Sequence, residues 1–390
     1  MSEPGTTGSG DDEAIGRGGG NGLGSKSGTR HTGNGHGNGN GRREVTVTDV
    51  ASAAKVSKAT AARALGDYGA VSEAVRDRVL TAAEQLGYRA NALARTMSTG
   101  RSNTLGIVVG DIENPFFAQA TRGAADVANA AGFDLILSNS DEEAETEQKA
   151  IGVQLAKRVD GLLVAPASSV DTANLRTVID AGRPLVLFDR AVPELEVDTV
   201  IADNRRGAEQ LTGLLTANGH RRIAFISTIR HPGGYRRGDT LGSSSVADRV
   251  QGFVETLEGA GVPDPAAFVH LNAREEGVEQ LARRLLEDDD RGITAVVASD
   301  SLIALGVFRA ARALGRSIPG DLSLVAFDDA DWTGVTTPAV TVMAQPIHEI
   351  GAEAARLLIR RIGGDGAPPV TRVLEQHLIE RASVARPARG

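Results

Sequence analysis

The sequence predicts an all-α head followed by an α/β body with parallel sheets. Three observations carry that expectation. Between Val47 and Leu86 apolar residues recur three or four apart in three short runs. From Leu105 onward apolar strand-like runs alternate with helical stretches, the order of an α/β protein. Those strand runs are continuous in Val, Ile and Leu, as strands covered on both faces require, so the sheets are expected to be parallel. At 390 residues and 41% hydrophobic, the chain is long enough for two or three domains.

Ahead of the head, residues 1–43 are rich in Gly, Asn, Ser and charge, with "GNGHGNGNG" near their end. They hold too few apolar side chains to offset chain entropy and are expected to be a disordered tail without chemistry. His31 and His36 offer imidazoles to a stray metal there, against the plainer reading of a solvated tail. The absence of cysteine excludes disulfides, zinc-thiolate sites and thiol catalysis and fits a reducing compartment, so a cytoplasmic protein is expected. No run of about 18 apolar residues suggests a membrane span. The net charge of -8 is unevenly spread: about +1 on residues 1–43, +2 on 44–101 and -11 on the remainder. Only the head is suited to approach a polyanion.

The first helix of the head follows Thr46, with Asp49 three residues later as a near capping box and Val47, Val50, Ala51 and Ala54 on one face. Ser57 can cap the second, whose inward face is Ala61, Ala64 and Leu65. That leaves Lys58, Ala59, Ala62 and Arg63 outward: small side chains allow close approach, and the cations reach phosphates or the acceptor edge of guanine. The third starts at Ser72, presents Val75, Val79, Ala82 and Leu86, and stops at Gly87. Three such helices make a helix-turn-helix domain over 44–89, with a small helical cap on the larger domain as the alternative. Residues 90–103 read as a hinge of one or two helical turns from cap Asn91, too short to be stable alone.

In the body the strand runs are "LGIVVG", "FDLILSN", "DGLLVAP", "PLVLFDR", "RIAFIST", "TAVVASD" and "LSLVAFDD". Several end in Asp, Ser or Asn, and ligands of parallel sheets bind outside the carboxyl ends of strands. No G-x-G-x-x-G follows a strand, and no phosphate-binding loop or G-x-S-x-G occurs. Without a readable nucleophile and base, a metal-ligand cluster or paired carboxylates, neither an enzyme nor a cofactor is expected.

"VTVTDVASAAKVSKATAARAL" and "VSEAVRDRVLTAAEQLGYRANALAR" resemble the DNA-binding head of the LacI/GalR family of bacterial transcription regulators. "NPFF", "GFDLILSNSD", "VDGLLVAP", "VLFDR", "ADNRRGAEQLTGLL" and "DRVQGF" resemble its effector core, so the likeness runs from Val45 to Arg381. It implies a two-lobed, periplasmic-binding-protein-like domain over 104–390, with lobe 1 about 104–202 and 346–371 and lobe 2 about 203–345 and 372–390. It implies a repressor that binds pseudo-palindromic double-stranded operator DNA as a homodimer and answers to a small effector, a sugar or sugar derivative. By position Lys58, Ala59 and Arg63 fall where the family reads bases, and Thr60 where it touches backbone; the caps Thr46 and Ser57 are grouped with them. Asn91 falls at the hinge cap, Arg95 on the hinge, and Met97 where a side chain wedges into the minor groove, with packing on the body as its alternative. Asp189, Arg249 and Asp328 fall at effector contacts, while Ser299 stands where an Asn is usual. Asn114 is expected in the cleft, Phe116 and Trp332 either stack on a sugar ring or, for Trp332, join the core, and Asp203 and Asn204 cap the next helix, with a place in the cleft as their alternative. Lys55 stands where the family's turn holds Gly, at a left-handed penalty of roughly 1 kcal/mol. The loop 230–245 is longer than the resemblance implies and either shapes the cleft mouth or is mobile. A solute-binding receptor and a sugar-modifying enzyme are the alternatives.

Overall fold

The computed structural model describes residues 45–66, 69–88, 101–288 and 292–387. The chain divides into one unit ending at Arg89 and a second beginning at Ala90. In the first, α1 (Val47–Ala53), α2 (Lys58–Gly66) and α3 (Glu73–Leu86) enclose a small core of Val50, Ala51, Ala54, Ala61, Ala64, Val79, Ala82 and Ala83. These helices are short enough that their packing, not their intrinsic propensity, must hold them. The capping box is closed: Asp49 N donates to Thr46 Oγ1 at 3.4 Å and Thr46 N to the Asp49 carboxylate at 2.8 Å. Ser57 Oγ accepts from Thr60 N at 3.1 Å and so caps α2. Lys55 occupies the left-handed region at φ +53°. Gly87 ends α3 at φ +64°, and Tyr88 N reaches back to Ala83 O. Ser72 is the N-cap of α3, as expected, though its side chain makes no cap hydrogen bond. One expectation fails: Leu86 is 39% exposed, because α3 outruns the two short helices that would cover its last turn. Asn91, Arg95 and Met97 lie outside the described residues.

The second unit has two sheets of six strands each among the described residues. The first holds β1 (Thr104–Val109), β2 (Asp134–Asn139), β3 (Gly161–Val164), β4 (Leu185–Phe188), β5 (Asp198–Ala202) and, from far along the chain, β11 (Thr371–Leu374). Its order is β2-β1-β3-β4-β5-β11, all parallel. Helices α4 (Pro115–Ala130) and α13 (Ile347–Ile362) cover one face and α5 (Ala144–Ala156) and α6 (Ala173–Asp180) the other. The α4/α13 crossing is very close: a Cβ on Gly123 would lie 1.9 Å from His348 O, and one on Gly351 1.8 Å from Ala120 O.

The second sheet repeats the plan with β6 (Ile223–Ile226), β7 (Val269–His270), β8 (Ala295–Ala298), β9 (Ser323–Phe327), β10 (Thr341–Ala344) and β12 (His377–Ile379), ordered β7-β6-β8-β9-β10-β12. On one face α7 (Asn204–Ala217) packs with α8 (Ser244–Gly259). On the other α10 (Val278–Glu287) packs with α11 (Ser301–Ala313); α9 (Ala273–Glu276) and α12 (Asp331–Val335) are single turns. β12 pairs antiparallel to β10, so the expectation of wholly parallel sheets is corrected at this edge. The chain changes lobe after β5, after β10 and after β11. The last change follows Leu374, beyond the expected 371, because β11 pairs with β5 through Leu374. The segment after Arg381 is part of lobe 2: Ser383 is buried with its hydroxyl on Leu324 O, and the buried His220 Nε2 meets Ala385 O at 2.8 Å.

Candidate functional site

In the head, α2 turns Lys58, Ala59 and Arg63 outward, all exposed, with Thr60 partly so. Ser57, also exposed, spends its hydroxyl on the cap, and Thr46 is tied to Asp49, its hydroxyl 2.7 Å from the carboxylate. Arg63 Nη2 lies 3.5 Å from Thr60 Oγ1, one turn back. The exposed face thus offers two cations around an alanine and no acid. A face of that kind can enter a major groove without steric or charge penalty.

The second site lies between the lobes. In each sheet the fourth strand ends in Phe and is followed by Asp: Phe188-Asp189 after β4, Phe327-Asp328 after β9. Both Asp residues adopt left-handed backbone, φ +65° and +71°, and each donates its N–H to the neighbouring strand, Val200 O and Met343 O at 3.0 Å. That conformation is uncommon outside glycine, and aspartate is among the residues that tolerate it. The two lobes therefore present matching carboxylates, 8% and 4% exposed, to one cleft.

Two guanidiniums accompany them. Arg190 donates Nη1 to Pro166 O at 3.1 Å and Nη2 to the Glu142 carboxylate, with Nε 3.3 Å from Asp189. Arg249 donates Nε to Asn204 Oδ1 at 2.8 Å and Nη1 to Ser299 O, and lies 4.1 Å over the Phe327 ring. Asp300 caps α11 through Ile303 N at 2.8 Å, and Gln345 Nε2 donates to Asp328 at 2.6 Å. Burial raises the pKa of Asp189, of Asp328 and of Asp300, the last to about 6, where the neighbouring Asp328 adds to the effect. Arg190 holds Glu142 below the usual carboxylate range. Burial lowers Arg249, against the pull of Asp328 and Asp189.

Of the effector residues read from the sequence, Asn114, Phe116, Asp189, Arg249, Ser299 and Asp328 line this one cleft. Asn114 also caps α4, accepting from Phe116 N at 3.0 Å, and Phe116 is held edge-on to Phe117 at 5.2 Å. Ser299 contributes its carbonyl to Arg249. Trp332 does not join them: it packs edge-on to Phe308 at 6.2 Å in the lobe 2 core, so the stacking expectation gives way to its alternative. Asp203 caps α7 as expected, but Asn204 is buried and positions Arg249. Glu142, Arg190, Asp300 and Gln345 were not anticipated. "FDR" and "ASDS" already carried Arg190 and Asp300 at strand ends, whereas nothing local marks Glu142 or Gln345.

The cleft is closed, with a cavity of about 50 Å³. Hydrogen bonds and ion pairs cross it: Arg230 to Glu143 at 2.7 Å, Arg274 to Asp141 O at 2.9 Å, Ser169 N to Gly242 O at 2.7 Å and Ala191 N to Ser244 Oγ at 2.8 Å. The loop after β6 supplies Arg230, Gly242 and Ser243 to a second hollow at the mouth, of about 90 Å³, which shares Glu142 and Arg190 with the first.

A basic helical face on a small head, and a cleft between two α/β lobes lined by carboxylates and guanidiniums, define a DNA-binding regulator governed by a small polar molecule. Residues 46–91 match the lacI family of bacterial regulatory proteins, and residues 212–384 match the periplasmic binding protein-like domain. The ribose operon repressor of Halalkalibacterium halodurans is 33% identical over 81% of this chain and 90% of its own length. Catabolite control protein A of Priestia megaterium is 31% identical over 81% and 92%. The solved complex of the transcriptional regulator CelR with cellobiose superposes with a TM-score of 0.63 at 30% identity, covering 87% of this chain and all of that one. The chain belongs to the LacI family of bacterial transcription regulators. Among the described residues no helix is long and apolar enough to cross a membrane.

Proposed function

We propose that this protein is a cytoplasmic repressor, without enzymatic activity, that binds a pseudo-palindromic operator as a homodimer and is controlled by a sugar or sugar derivative held between its lobes. The observation that carries the reading is the pair Asp189 and Asp328, presented to one cleft from matching positions of the two lobes with Arg249 beside them. Carboxylates accept from vicinal hydroxyls, and a ligand spanning both lobes favours the closed state. The names of the ribose repressor and of the cellobiose complex support the same ligand class. A cavity of about 50 Å³ is far below the roughly 300 Å³ of common ligand pockets, so a sugar enters only as the lobes part.

Lys58, Ala59 and Arg63 read bases, with Thr60, Ser57 and Thr46 near the backbone; Asn91, Arg95 and Met97 form the hinge that meets the minor groove. Asn114, Phe116, Asp189, Arg249, Ser299 and Asp328 hold the effector. Lobe closure changes the spacing of the paired hinges, with a coupling of about 1–3 kcal/mol. The test is selection of random duplex DNA by the full chain at fixed salt, with and without pooled sugars. Enrichment of a two-fold symmetric site that sugars modulate supports the reading. A folded protein that enriches no sequence under either condition refutes it.

A further inference from the structure

We infer that the effector carries no negative charge: it is a neutral or amine-bearing polyol, and sugar phosphates and sugar acids are excluded. This rests on the sugar reading above and deepens it. Four carboxylates, Glu142, Asp189, Asp300 and Asp328, line the cleft against two guanidiniums, an excess of two negative charges when all are ionised. The guanidiniums are each partly engaged within their own lobe. Arg190 donates Nη1 to Pro166 O and Nη2 to Glu142, while its Nε, 3.3 Å from Asp189, makes no hydrogen bond among the described residues. Arg249 has given Nε to Asn204 and Nη1 to Ser299 O, and Phe327 covers one face of its plane. The N–H groups left over on the two guanidiniums lie among twice as many carboxylates, and an incoming anion would have to face those carboxylates.

What the cleft has in surplus is negative charge. Asp189 and Asp328 are buried acceptor groups, and Gln345 Oε1 is buried with no hydrogen-bond partner among the described residues. Hydroxyl or ammonium donors satisfy such groups, whereas an anion offers more acceptors and adds like charge at short range. The mouth gives an anion no refuge, because Arg230 is matched to Glu143 and Arg274 faces Asp111 at 3.7 Å and Asp141 O. Asp300 is the residue expected to set this discrimination, since it adds charge while the hydrogen bond its carboxylate accepts among the described residues is the helix cap.

The test uses the full chain at pH 7.5 and follows thermal unfolding and calorimetric binding. The panel comprises pentoses, hexoses and disaccharides, their 2-amino-2-deoxy counterparts where they exist, and the corresponding phosphates and uronates. For the sugar skeleton that binds best, the phosphorylated or acidic form is expected to bind at least about 100-fold more weakly than the neutral one. In Asp300→Asn, which keeps a capping oxygen, that ratio is expected to shrink about tenfold. An anionic member that binds as tightly as its neutral parent overturns the inference and leaves the sugar reading standing. A panel in which nothing binds overturns both.

Discussion

Replacing Asp300 by Asn should stabilise the protein at neutral pH, and the gain should vanish in acid. Asp300 sits at the head of α11 with its pKa raised from 3.8 to about 6 by burial and by Asp328. In the unfolded chain it returns to its ordinary value, so between about pH 4 and 6 the folded state binds the proton more tightly. Stability contributed by this group is therefore present in acid and lost as pH rises through the folded pKa. A shift of about two units corresponds to up to about 3 kcal/mol, fully lost by pH 7. Asn is as good a cap as Asp, so the bond to Ile303 N should survive the exchange. Trp332 is the single tryptophan and packs in the same lobe's core, so its fluorescence reports this lobe's unfolding. Urea titrations at pH 5 and pH 8 should show the wild type losing about 1–2 kcal/mol relative to the variant over that interval. Parallel pH profiles for the two proteins would refute the argument, because they would mean that Asp300 is ionised equally in the folded and unfolded chains.

Arg63→Ala removes an exposed guanidinium whose stem lies beside Gly69; operator affinity should fall by about 1–3 kcal/mol and one base position should lose its preference, with the melting curve little changed. Gly351→Ala places a methyl 1.8 Å from Ala120 O, so α4 and α13 must separate; a loss of about 1–3 kcal/mol or more in lobe 1 should appear as a lower midpoint in urea. Lys55→Gly relieves a left-handed side chain at φ +53° and should slow hydrogen exchange in α1 and α2, a gain of up to about 1 kcal/mol after glycine's own entropy is counted.

Much of the fold was written in local pattern. The Val and Ile runs of β1, β3, β4, β6, β8 and β9 are continuous because helices cover both faces, and that continuity is visible in one dimension. The capping box at Thr46 and the stop at Gly87 were equally readable, since each depends on residues a few positions apart, whereas the left-handed turn at Lys55 was implied by the family resemblance. β12 was not: three residues running against β10 gain their identity only from a partner more than thirty residues away. The same limit governed the cleft. Asp189 and Asp328 stand at strand ends where a ligand is sought, but Glu142 enters the site only because Arg190, 48 residues on, folds back to it. Trp332 could not be placed because an indole serves a ring-stacking cleft and an apolar core equally well, and only Phe308 decides between them.

The chain changes lobe three times, after β5, β10 and β11, so neither lobe is one continuous piece of sequence. A cut at any single point leaves each half without a part it needs: stopping at Ala202 strips lobe 1 of α13 and β11, and stopping at Leu374 strips lobe 2 of β12 and of the segment that seats His220. Exchange of one lobe for a relative's by a single recombination is accordingly closed to this architecture. New effector specificity has to arise by point changes at the strand ends, while the head, contiguous and self-contained, can be traded whole.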